Sequence, residues 1–273
     1  MLVPSVRGAA QLELAGIGRV IFWEGGSLWL ALITGGNGLH LHHAVQISLP
    51  LSGTVLFSRS QSTDWIEYPG AVIAPDVPHA FQAPGRVVAN ILFEPESPAG
   101  RALLAKYGTA DISPLPAEEV ARLVAPLARA YETNESDSEL IRTAKGAIAA
   151  LAGVERPAGA TDPRVLRAIA YIRDHLDEPI SLASIAEAVH LSPGRLRHLF
   201  VSETGVSCKA FVLWERLNVA LSLGFSGTSW TEAAHAANFA DSAHLSRTCR
   251  RMFGMAPTGG RIEHMSQTSR VTA

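Results

Sequence analysis

Two groups of residues in this 273-residue chain carry chemistry. The first is Leu39-His40-Leu41-His42-His43-Ala44-Val45-Gln46, with Pro75-Asp76-Val77-Pro78-His79 further on. Side chains alternate along a strand, so His40 and His42 share one face and His43 points to the other. A His-x-His pair with a later histidine brought alongside by a sheet presents imidazoles to a divalent metal, which makes His40, His42 and His79 candidate metal ligands. Gln46 is a neutral and weaker fourth. The same imidazoles serve equally to hydrogen-bond a small ligand or the backbone. In that case His40, His42, Gln46 and His79 are polar anchors of an effector site, with apolar walls drawn from Trp23, Trp29, Phe22, Trp65 and Phe81.

The second group is cationic and lies in the last third. Before residue 161 the chain has a net charge of -4 and after it +2, within a whole-chain charge of -2. Placement matters more than this balance. Ser181 is positioned to cap a helix containing Leu182, Ile185, Ala186 and Val189. After a tight turn, Ser192-Pro193 supplies an N-cap followed by proline at the first helical position. With Leu196, Leu199 and Phe200 inward, Gly194, Arg197, His198 and Val201 share the outer face. Thr231 to Ala237, the turn Asn238-Phe239-Ala240, and a helix capped by Asp241 or Ser242 repeat this plan. Its inner residues are Leu245, Cys249 and Phe253, and Ala243, His244, Arg247, Arg250 and Arg251 face outward. A brace helix followed by a short capped helix is the arrangement that lets N-terminal residues reach base edges in a major groove. An intervening helix over 211–223, with Trp214, Leu217, Ala220 and Leu221 as its apolar face, is placed to hold the two units roughly 34 Å apart, one DNA turn.

The elements that position these groups differ along the chain. From residue 10 to 96, short apolar or alternating runs broken by glycine and proline predict a sandwich or barrel of β-strands. Helical periodicity follows over 116–131 and 138–152. The segment 154–163 reads as a linker between a domain over 1–153 and an all-helical domain over 164–265. Two cysteines, Cys208 and Cys249, provide no disulfide framework and fit a reducing cytoplasm. No apolar run approaches the roughly 18 residues of a membrane span, and the first 18 residues lack the basic start and apolar stretch of a secretory signal.

The order Ile180-Ser181-Leu182, Leu191-Ser192, Leu196, Phe200, Thr204-Gly205, Arg216-Leu217, Ala233-Ala234, Asn238-Phe239, Asp241, His244, Arg247, Phe253-Gly254 and Pro257 strongly resembles the AraC/XylS-type DNA-binding domain over about residues 164–261. That resemblance implies a sequence-specific transcription regulator, usually an activator, that works on operator DNA with RNA polymerase and forms homodimers, here through the helices at 116–131 and 138–152. It makes Gly194, Arg197, His198, Ser242, Ala243, His244 and Arg247 contacts to DNA. Arg197 and Arg247 suit guanine, which arginine pairs bidentately. Arg195, Lys209, Arg250 and Arg251 suit phosphates. The histidine segments resemble the paired motifs of cupin barrels, with Gln46 where a glutamate is usual. The expected fold is therefore mixed: an N-terminal all-β cupin-like barrel followed by helices, then an all-α domain with two helix-turn-helix motifs. The expected partner of the barrel is a small-molecule effector, and its expected cofactor is none or a divalent metal. The rival reading is a metal-dependent cupin enzyme fused to a DNA-binding domain.

Overall fold

The computed structural model describes residues 16–60, 64–153 and 161–259. Most of the expected linker lies outside these residues. The N-terminal unit contains two sheets. The larger has the order β1-β2-β9-β4-β7-β10, formed by β1 (Gly16–Trp23), β2 (Gly26–Ile33), β9 (Arg86–Phe93), β4 (Val45–Pro50), β7 (Ala71–Ile73) and β10 (Ile112–Pro114). The smaller runs β3-β8-β5-β6, from β3 (Gly36–His40), β8 (His79–Gln82), β5 (Val55–Ser58) and β6 (Ile66–Tyr68). All pairings are antiparallel. The β unit is as expected, but its ladders do not close into a barrel.

Alternation explains the layering. On β9, Ala89, Ile91 and Phe93 face a core shared with α2 (Ala117–Glu132) and α3 (Asp137–Ala152), whereas Val88 faces the core between the sheets with Ile33, Ile73, Phe57 and Phe81. Strand β4 is buried along its whole length because both of its faces are covered. The helices α2 and α3 fall within a residue or two of the segments read from periodicity. The helix α1 (Pro98–Tyr107), capped by Ser97, has no counterpart in the sequence reading.

The last third is helical: α4 (Pro163–Asp174), α5 (Leu182–Ala188), α6 (Pro193–Thr204), α7 (Cys208–Phe225), α8 (Trp230–Ala236) and α9 (Ser242–Phe253). The caps are those the sequence supplies. Ser181 accepts from the Ser184 amide, Ser192 from that of Arg195, and Asp241 from that of His244. Between α5 and α6 the chain turns at His190 with φ of 56°, and between α8 and α9 at Asn238 with φ of 57°. These equivalent left-handed residues are what make each pair a tight helix-turn-helix rather than a continued helix. A β-branched residue there is strained, so His190→Val and Asn238→Val are each expected to lower unfolding free energy by about 1–3 kcal/mol in urea titrations, and glycine at either place to be tolerated.

Candidate functional site

Two sites emerge, one on the helical face and one inside the β unit. On α6, Leu196 and Phe200 are buried, while Gly194, Arg195, Arg197 and His198 are exposed. On α9, Leu245, Thr248, Cys249 and Phe253 are buried; Ala243, Arg247, Arg250 and Arg251 are exposed, and Ser242 and His244 half-buried. Among the described residues, the ion pairs found engage none of Arg195, Arg197, Lys209, Arg247, Arg250 and Arg251. Their charge is directed to solvent. Arg197 from α6, Lys209 from the start of α7 and His244 from α9 border one surface concavity, so residues of both candidate recognition helices meet the same opening.

The histidines come together as the sequence suggests, though by a different route. His40 on β3 lies directly across from His79 on β8 in the antiparallel register. His42 sits beyond the end of β3, not on it, and reaches the pair from the connection to β4. Ring centroids of His40 and His79 are 4.2 Å apart, and those of His42 and His79 are 5.1 Å apart. The three side chains are 5%, 2% and 0% exposed for His40, His42 and His79. Burial, reinforced by the neighbouring imidazole of His42, pushes His40 down to about 3. Burial also lowers His42, and burial with the adjacent His40 and His42 holds His79 well below its ordinary value. All three are neutral at physiological pH, the state in which imidazole binds a metal. A polar chain continues from His42 through Gln46 and Ser48 to Asn90. His43, in the bend between β3 and β4, points the other way, toward Phe211 and the carboxylates of Glu96 and Asp76. Burial disfavours its charge, but those two carboxylates outweigh burial and raise it to about 9.

Next to this cluster is a cavity of about 70 Å³ lined by Val20, Trp29, His40, Gln46, Asn90 and, from the far end of the chain, Phe253 and Met255, with Phe81 also on its wall. Trp29 lines this cavity. Trp23 does not: its ring packs on the helix-covered face of the sheet, with Lys145 5.9 Å from its centre, because it alternates with Phe22 along β1. Trp65 is half-buried and lines none of this cavity. Asn90, a polar residue within the apolar run Val87 to Phe93, was a visible signal that the sequence reading passed over. Phe253 and Met255 had no such signal, since they join the site only through tertiary packing.

That packing ties the end of α9 to β3. The amides of Gly38 and Leu41 donate to the carbonyls of Gly254 and Arg251, and the Asn37 side chain donates to Phe253. Gly254 has φ of 69°, and a Cβ there would stand 2.3 Å from the Gly38 carbonyl oxygen. A second tie is Arg173 on α4, which pairs with Glu94 of the β unit and donates to Glu215 on α7 at 3.2 Å. Burial raises the carboxyl of Glu215, against the pull of Arg173.

Two outcomes follow from these ties. In Gly254→Ala, amide exchange at Gly38 and Leu41 is expected to quicken by about tenfold or more while amides of α6 keep their protection. Arg173→Ala removes the cation shared by Glu94 and the partly buried Glu215 and is expected to cost about 1.5–3 kcal/mol at pH 7, and less at pH 5, because Glu215 then folds in its protonated form.

Residues 185–261 match the family model described as a helix-turn-helix domain. The uncharacterized HTH-type transcriptional regulator YidL of Escherichia coli K12 is 36% identical over 104 residues, which are 37% of this chain and 35% of that protein. The HTH-type transcriptional activator RhaS of Escherichia fergusonii is 36% identical over 98 residues, 36% of this chain and 35% of that protein. The matched stretch thus spans only 35% of the length of each of these relatives. The crystal structure of ToxT from Vibrio cholerae aligns with 91% of this chain and 95% of its own, at a TM-score of 0.53 and 14% identity, a likeness of fold. The last third of the chain, with its two capped helix pairs and outward arginines, is a helix-turn-helix domain similar to those of these transcriptional regulators, joined here to a β unit in an overall fold similar to that of ToxT.

Proposed function

We propose that the chain is a sequence-specific DNA-binding transcription regulator, an activator, that responds to a small-molecule effector held in its N-terminal β unit. The observation that carries this reading is the pair of capped helix-turn-helix units whose outer faces present cations with no ion-pair partner among the described residues. In this reading Arg197 and Arg247 read guanine in successive major grooves. Gly194, His198, Ser242, Ala243 and His244 lie against bases and sugars around them, and Arg195, Lys209, Arg250 and Arg251 hold phosphates. The domains divide near residues 154–163, the protein works in the cytoplasm, and RNA polymerase is its partner at the promoter. Homodimerisation uses the outer faces of α2 and α3, since their apolar faces are already spent on the sheet within one chain.

The effector site is the cavity beside Trp29, His40 and Gln46, with His42 and His79 behind it. Its 70 Å³ holds only a few heavy atoms, against the ~300–1,000 Å³ of ordinary ligand pockets. A larger effector is admitted by displacement of Phe253 and Met255, lining residues at and just after the end of the second recognition helix. Ligand binding and DNA binding are then coupled through one movable contact, by the difference in ligand affinity between the two arrangements.

The test is selection of duplexes from a random library by the full chain, followed by binding titrations across a salt series. A selected sequence is expected to bind with strong salt dependence. Arg197→Ala and Arg247→Ala should each cost about 1–3 kcal/mol and relax preference at one position, whereas Arg250→Ala should weaken all sequences alike and reduce the salt slope by about 1. Failure to enrich any sequence overturns the reading.

A further inference from the structure

The three buried imidazoles are arranged in a way that DNA binding does not require. Each Nδ1 faces a main-chain carbonyl: His40 to Gly38 at 2.8 Å, His42 to Ala44 at 3.1 Å and His79 to Val77 at 2.8 Å. A carbonyl only accepts, so in these neutral rings Nδ1 carries the proton and every Nε2 presents a lone pair. This is the outer support that fixes ring tautomer and orientation for metal ligation. One nitrogen of each ring lies within 4.8 Å of one from each of the others.

Two further observations point to an occupant. His79 Nε2 is fully buried with no hydrogen-bond partner, and an unsatisfied buried acceptor costs about 1–3 kcal/mol. His42 Nε2 stands 2.9 Å from Gln46 Oε1, which places one acceptor against another. The Gln46 amide is held in that orientation by its own Nε2, which donates to Ser48 Oγ at 2.8 Å and Asn90 Oδ1 at 3.3 Å. A cation between the two resolves the conflict, since two ligands about 2.1 Å from a metal and at right angles stand about 3 Å apart.

We propose that His40, His42, His79 and Gln46 form a binding site for one divalent transition-metal ion, of the zinc, iron, cobalt or nickel kind that imidazole suits. Through His40 and Gln46 the ion borders the cavity that Phe253 and Met255 also line. The proposal stands apart from the regulator reading, because it is tested without DNA.

The experiment titrates chelator-treated full-length protein with Co2+, following ligand-field absorption, and then displaces it with Zn2+. One ion per chain in the micromolar range or tighter is expected. His79→Gln should weaken binding by about tenfold or more, and His235→Gln, an exposed histidine elsewhere, should leave it unchanged. Gln46→Glu supplies a better ligand, so it should bind more tightly than the wild type and gain thermal stability on adding metal. That gain of affinity is not something a misfolded variant can imitate. No saturable binding, or binding indifferent to both His79→Gln and Gln46→Glu, overturns the proposal. The cluster is then a metal-free network in which the Gln46 amide is turned over to donate to His42.

Discussion

The arrangement of everything else depends on one helix, α7, being a single rod shared by two cores. Its 18 residues span about 27 Å. Near its start, Phe211 and Val212 pack with Phe200, Leu196 and Ile185 of the first helix-turn-helix unit, and the Phe211 and Phe200 rings meet edge to face with centroids 5.5 Å apart. Further along, Trp214, Leu217 and Leu221 pack with Ala234, Leu245 and Phe253 of the second, with Trp214 stacked on Phe253 at 5.7 Å. A helix cannot shorten or twist without breaking its hydrogen bonds. The separation and relative rotation of α6 and α9 are therefore fixed by packing on α7, not by the short turns that flank it.

The two units are unequal in their relation to the β unit. The second core also takes in Val20, Ala44 and Leu92 from the strands and the connection before β4, with Trp29 packed against it, while the first draws its buried residues from the helical unit and meets the β unit at the contact of Phe211 with His43. The end of α9 adds hydrogen bonds to β3. Movement of the β unit thus acts on the second recognition helix through its own core, and on the first through Phe211 and Arg173. The histidine cluster lies on that route, since His42 is 6.3 Å from the Phe253 ring and 6.1 Å from that of Trp214.

What the sequence made legible was local. Ser181, Ser192 and Asp241 cap the helices they were expected to cap, because capping is decided within four residues. The apolar spacing of 116–131 and 138–152 located α2 and α3 for the same reason. His43 does point away from His40 and His42, but from a bend between β3 and β4 and not through strand alternation. Where pairing between distant segments decides, the reading failed or succeeded for other reasons. A closed barrel was expected where two open-edged sheets form, and Trp23 was assigned to the cavity although the twist and cover of the sheet put it under α3. His40 and His79 meet because β3 and β8 pair in register, a fact no spacing along the chain contains. The buried pairing of His43 with Glu96, and the lining of the cavity by Phe253 and Met255, belong to contacts 53 or more residues apart.

The central claim is that α7 holds two recognition helices for successive major grooves on one face of the duplex. Hydroxyl-radical footprinting of one protein chain on its selected operator tests this most directly. Two protected patches on the same face, about 10–10.5 base pairs apart centre to centre, are the predicted result. A single patch covering one groove, or two patches on opposite faces, would contradict it.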